Sequence, residues 1–114
     1  MNNKNQVSLE EKINCIRNIK ETNLEFDNVY EMLEEIGDVK YNYTDYMITE
    51  PIKVDEELKR ISNANYDLCA ALLTMILREE RFSSGSYNQR VELGQVKEVL
   101  EKMVEILKTR EIMV

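Results

Sequence analysis

Three arginines beside a Gly-Ser turn form the pattern with the clearest chemical meaning in this sequence. Arg78 and Arg81 are three positions apart, so they would share one face of a helix, and Arg90 follows one short turn later. Guanidinium groups bind phosphate and carboxylate groups in a bidentate manner, and the backbone amides around Ser84 and Gly85 would add donors if they form a nest. The spacing predicts an anion pocket, for instance for a nucleotide.

An alternative explains the same residues without a ligand. Arg78 and Arg81 would pair with acids of the segment 21–57, because ion pairs are the commonest use of such residues. Phe82 would then be a core side chain, and Gly85 would end the helix.

A negative segment is the second candidate site. Residues 21–57 contain twelve acids and two lysines, whereas residues 58–114 contain nine bases and eight acids. This asymmetry predicts a face that binds a basic protein, and tyrosines are typical of such surfaces. The alternatives are charge that only maintains solubility and tyrosines at the half-buried edge of the core. The candidate residues are Asp27, Glu31, Glu34, Glu35, Asp38, Tyr41, Tyr43 and Tyr46.

Catalysis is the function that the composition supports least. There is no histidine, so the commonest general base and metal ligand is missing. Adjacent carboxylates such as Glu56 and Glu57 point to different sides of a helix and would not form an acid–base pair. Cys15 and Cys69 stand beside apolar residues, which predicts reduced, inert thiols. We expect a non-enzymatic protein with no catalytic residues, no metal site and no cofactor.

The composition also predicts where the protein acts. A net charge of −7 argues against direct binding to nucleic acid, which depends on cationic side chains. No apolar run approaches the roughly 20 residues that span a bilayer, and the polar start MNNKNQ does not resemble a signal peptide. Together with reduced thiols, these features predict a cytoplasmic protein that does not bind membranes.

The apolar periodicity predicts the elements that position these residues: a mainly α-helical domain of about five helices over 8–114, after a disordered tail at 1–7. Ser8 and Glu11 have capping-box spacing. Asp27 would cap the second helix, and Gly37 would end it.

Two stretches of the chain allow more than one interpretation. Residues 66–77 are apolar on every side, which is typical of a central bundle helix or of a helix in a homodimer interface. Near 39–48, Val39, Tyr41 and Tyr43 alternate, which predicts either a short β-hairpin or an irregular aromatic loop.

The C-terminal part of the chain resembles a family of small uncharacterised bacterial and phage domains. The resemblance rests on a Leu-Leu-Thr…Arg-x-x-Arg-Phe-x-x-Gly…Gly pattern, matched by Leu72, Leu73, Thr74, Arg78, Arg81, Phe82, Gly85 and Gly94. This resemblance implies no biochemical activity. By analogy of size and charge, it implies a phage or mobile-element protein that inhibits a host defence complex by docking on its basic, nucleic-acid-binding surface. An anion binder and a structural homo-oligomer are the alternatives.

Overall fold

The computed structural model describes residues 7–113, and within them the chain is all α-helical with no strand. There are six α-helices and two short 3-10 turns, at Tyr43–Tyr46 and Ile61–Asn63. The α-helices are α1 (Leu9–Thr22), α2 (Phe26–Glu35), α3 (Val54–Leu58), α4 (Tyr66–Glu79), α5 (Ser86–Glu92) and α6 (Gln95–Met113). The predicted fold class is confirmed. The predicted tail, apart from Val7, lies outside the described residues.

The ends of the first two helices follow local sequence signals. The Ser8 hydroxyl accepts from the Glu11 amide at 3.1 Å, and the Glu11 carboxylate accepts from the Ser8 amide at 3.2 Å, so the capping box is confirmed. Gly37 has a φ of 77° and follows α2 as predicted, with its amide and the next one donating back to the last turn. The predicted cap of α2 is wrong, because the helix begins at Phe26 and Asp27 lies in its first turn.

α4 is the most buried helix of the described chain, and it packs against α6, α5, α3 and the 3-10 turn at Tyr43–Tyr46. α6 also packs against α1. Residues 69–77 of α4 are all buried in this single chain. The apolar surface that a homodimer through 66–77 would have used is therefore already covered. Burial also raises the pKa of the Cys69 thiol to about 11, so this thiol stays protonated at neutral pH.

The segment between α2 and α3 is a loop with a 3-10 turn at Tyr43–Tyr46, so of the two interpretations of 39–48 the irregular loop is confirmed and the short β-hairpin is not formed. Some of the loop's amides close its own 3-10 turn, and three others donate to side chains of neighbouring helices instead of a second strand. The Lys40 amide donates to the Thr74 hydroxyl of α4 at 3.1 Å. The amides of residues 48 and 49 donate to the Glu57 carboxylate of α3 at 2.9 and 2.7 Å. These contacts fix the loop against the bundle.

Candidate functional site

The outward side of α2 carries a row of carboxylates. The helix buries Val29, Met32 and Leu33 against the core. With a period of 3.6 residues, the acids between these positions fall on the opposite, exposed side. We call this surface the acidic face; it consists of Asp27, Glu31, Glu34 and Glu35. None of the four carboxylates forms an ion pair with another residue of the span 7–113.

Three members of the acidic face are unfavourably placed within their own helix, whereas Asp27 stands in the first turn of α2, where the helix dipole favours negative charge. Glu34 and Glu35 occupy the last turn of α2, where the helix dipole disfavours negative charge and where no basic residue stands. Glu31 is four residues from both Asp27 and Glu35, and like charges at that spacing repel. Stability therefore does not explain this arrangement, whereas a cationic partner would relieve the repulsion.

A shallow groove of about 180 Å³ runs between α1 and α2 beside the acidic face. Its lining consists of Cys15, Asn18, Ile19, Asn28, Glu31, Met32 and Glu35. This mixed lining, with two carboxylates beside the apolar side chains of Ile19 and Met32, suits a lysine or arginine side chain, whose alkyl stem packs while its charged end is paired. Burial, followed by the charges of Glu35 and Glu11, raises the pKa of Cys15, so this thiol is not activated. The sequence did not indicate the contribution of α1, because it depends on how the two helices pack.

Asp38, predicted as part of the partner-binding surface, serves inside the molecule instead. Its carboxylate lies 3.2 Å from the Lys12 ammonium and accepts from the Tyr66 hydroxyl at 2.5 Å. Burial, together with the bond to Asp38, raises the pKa of Tyr66. Asp38 therefore joins α1, α4 and the loop after α2, and it does not belong to the acidic face.

The three predicted tyrosines differ in exposure. Tyr41 has 72% of its surface exposed, whereas Tyr43 and Tyr46 are half-buried against the bundle. The Arg78 guanidinium lies 5.8 Å from the centre of the Tyr41 ring, within the range of a cation–π contact. Of the three, Tyr41 offers the largest surface to a partner.

The predicted anion-binding arginines have different surroundings. Arg90 binds Glu79 in a bidentate manner, at 3.0 and 2.9 Å, and it also pairs with Asp55. Hydrogen bonds from Arg90 to Glu79 raise the pKa of the guanidinium further, despite partial burial. Arg78 instead faces Tyr41. The geometry therefore gives no common pocket for the three arginines, and Arg90 is already neutralised.

The loop at Ser84 and Gly85 binds a carboxylate of the chain itself. The Glu80 carboxylate accepts from the amides of Gly85 and Tyr87, both at 2.9 Å, and these bonds lower its pKa. Gly85 has a φ of 89° and precedes α5. An external anion would have to displace Glu80 from this loop. The core position predicted for Phe82 is wrong, because 84% of its surface is exposed.

Residues 7–113 contain neither a membrane-spanning helix nor a metal-binding cluster. No helix there has both the length and the apolar character that crossing a membrane requires. In the same span, no three side chains of the His, Cys, Asp or Glu type come together as a metal site would require.

Comparison with known proteins places the chain in a family. The model of the family of unknown function DUF6508 matches residues 2–109, so the chain belongs to that family. The chain matches no curated protein and no solved structure. Function must therefore be argued from the geometry of the molecule itself.

Proposed function

We propose that this member of DUF6508 is a small, non-enzymatic docking protein whose acidic face binds a basic surface of another protein. The observation that carries the proposal is a row of exposed carboxylates without ion-pair partners among residues 7–113, two of them at the end of a helix, where the helix dipole disfavours negative charge. Lysine and arginine side chains of a partner would remove this repulsion. They would also accelerate association, because the chain carries a net charge of −7.

The groove beside the acidic face adds shape to this charge. Glu31 and Glu35 belong both to the acidic face and to the groove wall, opposite Cys15 and Asn18 of α1. A cationic side chain inserted there would contact two carboxylates and apolar carbon at once. The partner surface should therefore present at least one protruding lysine or arginine among other basic residues.

A more specific hypothesis is that the partner is a host complex with a basic groove for nucleic acid, and that the protein inhibits it for a phage or mobile element. Support for this comes from charge and size: a row of carboxylates presents closely spaced negative charge, as a phosphate backbone does. In such a complex, the protein would displace a labelled double-stranded oligonucleotide from the purified partner.

The test of the docking proposal compares captured proteins between matched charge variants. The first variant carries Asp27→Lys, Glu31→Lys, Glu34→Lys and Glu35→Lys. A control variant receives the same charge change at Glu21, Glu50, Glu92 and Glu111, which are exposed and outside the acidic face. Each protein is immobilised, exposed to host lysate and analysed by quantitative mass spectrometry.

The wild type and the control variant are expected to capture the same basic protein, and the acidic-face variant should lose it. Circular dichroism establishes that all three chains are folded. Equal capture by the acidic-face variant would remove the basis of the proposal. Equal loss in both variants would show that only net charge matters, which would also overturn it.

A further inference from the structure

A second surface, on the side of the molecule where α4 ends, has the opposite character to the acidic face. A groove of about 310 Å³ is lined by Tyr43, Ile52, Val54, Met75, Glu79 and Phe82. Phe82 at its edge is 84% exposed, and Ile48, which is 72% exposed, lines an adjoining depression that shares Ile52. Large apolar side chains grouped on an exposed surface mark sites of protein interaction.

The charged residues beside this groove differ in whether they have a partner within the molecule. In the run Arg78-Glu79-Glu80-Arg81, both carboxylates have internal partners. Glu79 binds Arg90, and Glu80 accepts from the amides of Gly85 and Tyr87. Neither Arg78 nor Arg81 has an ion-pair partner among residues 7–113. The Nε atom of Arg78 is buried without an acceptor in that span. These two arginines directly precede Glu79 and Phe82, which line the groove, and the Arg78 guanidinium also lies over the ring of Tyr41.

The turn after α4 places these groups side by side. The Arg81 amide donates to the Arg78 carbonyl at 3.1 Å, and the Phe82 amide donates to the Glu79 carbonyl at 2.9 Å. In turns closed by such bonds, side chains three residues apart lie along the same side. Arg78 and Arg81 thus follow one side of the turn, while Glu79 and Phe82 follow the neighbouring side, which lines the groove.

We infer that this groove binds a peptide segment of a partner protein that combines an apolar anchor with adjacent acidic residues. The anchor, an aromatic or leucine side chain, packs on Phe82, Tyr43 and Ile52, and the acidic residues pair with Arg81 and Arg78. The inference is independent of the proposed function, since it selects a ligand of opposite charge. A second copy of the chain fits less well, because its acidic face stands on a helix whose apolar residues are buried.

The test uses a display library of random peptides about twelve residues long, selected on the immobilised full-length protein. Enriched sequences should share one aromatic or leucine residue beside aspartate or glutamate. A synthetic peptide with the consensus is then titrated by fluorescence polarisation. We expect binding about tenfold weaker for Phe82→Ala and for Arg81→Glu. The matched controls are Leu93→Ala and Lys108→Glu, which change an exposed apolar residue and an exposed cation elsewhere.

Four outcomes would overturn the inference: no enrichment, an enriched basic consensus, equal weakening by the controls, or a dimer that Phe82→Ala dissociates. The variant with the reversed acidic face separates this test from the previous one. It should bind the consensus peptide at least as tightly as the wild type does, because it repels an acidic peptide less, and loss of binding in that variant would count against the groove. Both Phe82 and Arg81 are exposed, so circular dichroism should show an unchanged fold.

Discussion

Glu57 is a buried carboxylate with hydrogen bonds to both of its oxygens. It has no exposed surface, and it accepts from the amides of Ile48 and Thr49 at 2.9 and 2.7 Å and from the Arg60 guanidinium at 2.8 Å. Burial by itself would raise the pKa of this carboxyl. The bonds from Thr49, Arg60 and Ile48 outweigh that effect and hold the pKa below its ordinary value of 4.5. The residue therefore fastens the loop before α3 in its charged form.

We expect Glu57→Gln to lower the free energy of unfolding at pH 7 by about 2–3 kcal/mol, because an amide cannot satisfy the same set of donors. A group with a lowered folded-state pKa stabilises the protein above its unfolded-state pKa. That stability is lost as the pH falls below about 4.5 through the folded-state value. Urea unfolding between pH 7 and pH 3 measures both effects.

The neighbouring residue provides the control for this prediction. Glu56 is exposed and pairs with Lys59 at 3.0 Å on the surface. Glu56→Gln should change the free energy of unfolding by less than about 0.5 kcal/mol and leave the acid dependence intact. If Glu57→Gln behaves like Glu56→Gln at every pH, the carboxylate does not fasten the loop.

At the scale of elements, local signals predicted the helices better than the connections. Ser8 and Gly37 act through backbone groups within a few residues, so their positions could be read from the sequence. The conformation of the loop after α2 could not be read in this way. Two of its amides donate to the side chains of Thr74 and Glu57, which lie in other helices and come close only after folding. The alternation of Val39, Tyr41 and Tyr43 does not reflect pairing of strands, because Val39 and Tyr43 are half-buried in a loop whereas Tyr41 is exposed.

The acidic face leads to a prediction about α2. Replacing Glu34 and Glu35 with glutamine removes negative charge from the C-terminal end of the helix dipole and relieves like-charge repulsion. We expect the double variant to raise the free energy of unfolding by about 0.5–1 kcal/mol, measured by thermal or urea unfolding. The same variant should bind a basic partner more weakly, because two carboxylates of the docking surface are lost.

A variant with the opposite expected effect on stability provides the control for α2. Glu10 stands in the first turn of α1, where negative charge is favourable, so Glu10→Gln should slightly lower the stability. If both variants lower the free energy of unfolding, the carboxylates at the end of α2 have a stabilising role, and the central observation behind the proposed docking function is lost.

At the scale of the whole molecule, the sequence predicted which carboxylates of α2 point outward, but it did not predict the surroundings of each arginine. The acidic face depends on one helix, so its period fixed which carboxylates point outward. The predicted anion pocket depended on how several elements meet. Arg90 reaches Glu79 and Asp55 only once α3, α4 and α5 are assembled. The Glu80 carboxylate accepts from the Gly85 amide only once the turn between α4 and α5 has formed. Neither contact has a signature in the sequence.

The burial of α4 leads to a last prediction, on the oligomeric state. Because residues 69–77 are covered by the chain's own helices and the net charge is −7, we expect a monomer of 13.5 kDa. Light scattering at low salt and at about 0.5 M salt distinguishes burial of α4 from charge repulsion as the cause of the monomeric state. The higher salt screens charge repulsion but not apolar association. The mass should be that of a monomer in both. A dimer at high salt alone would mean that repulsion masks an apolar interface. A dimer in both conditions would contradict the inference that burial of α4 keeps the protein monomeric.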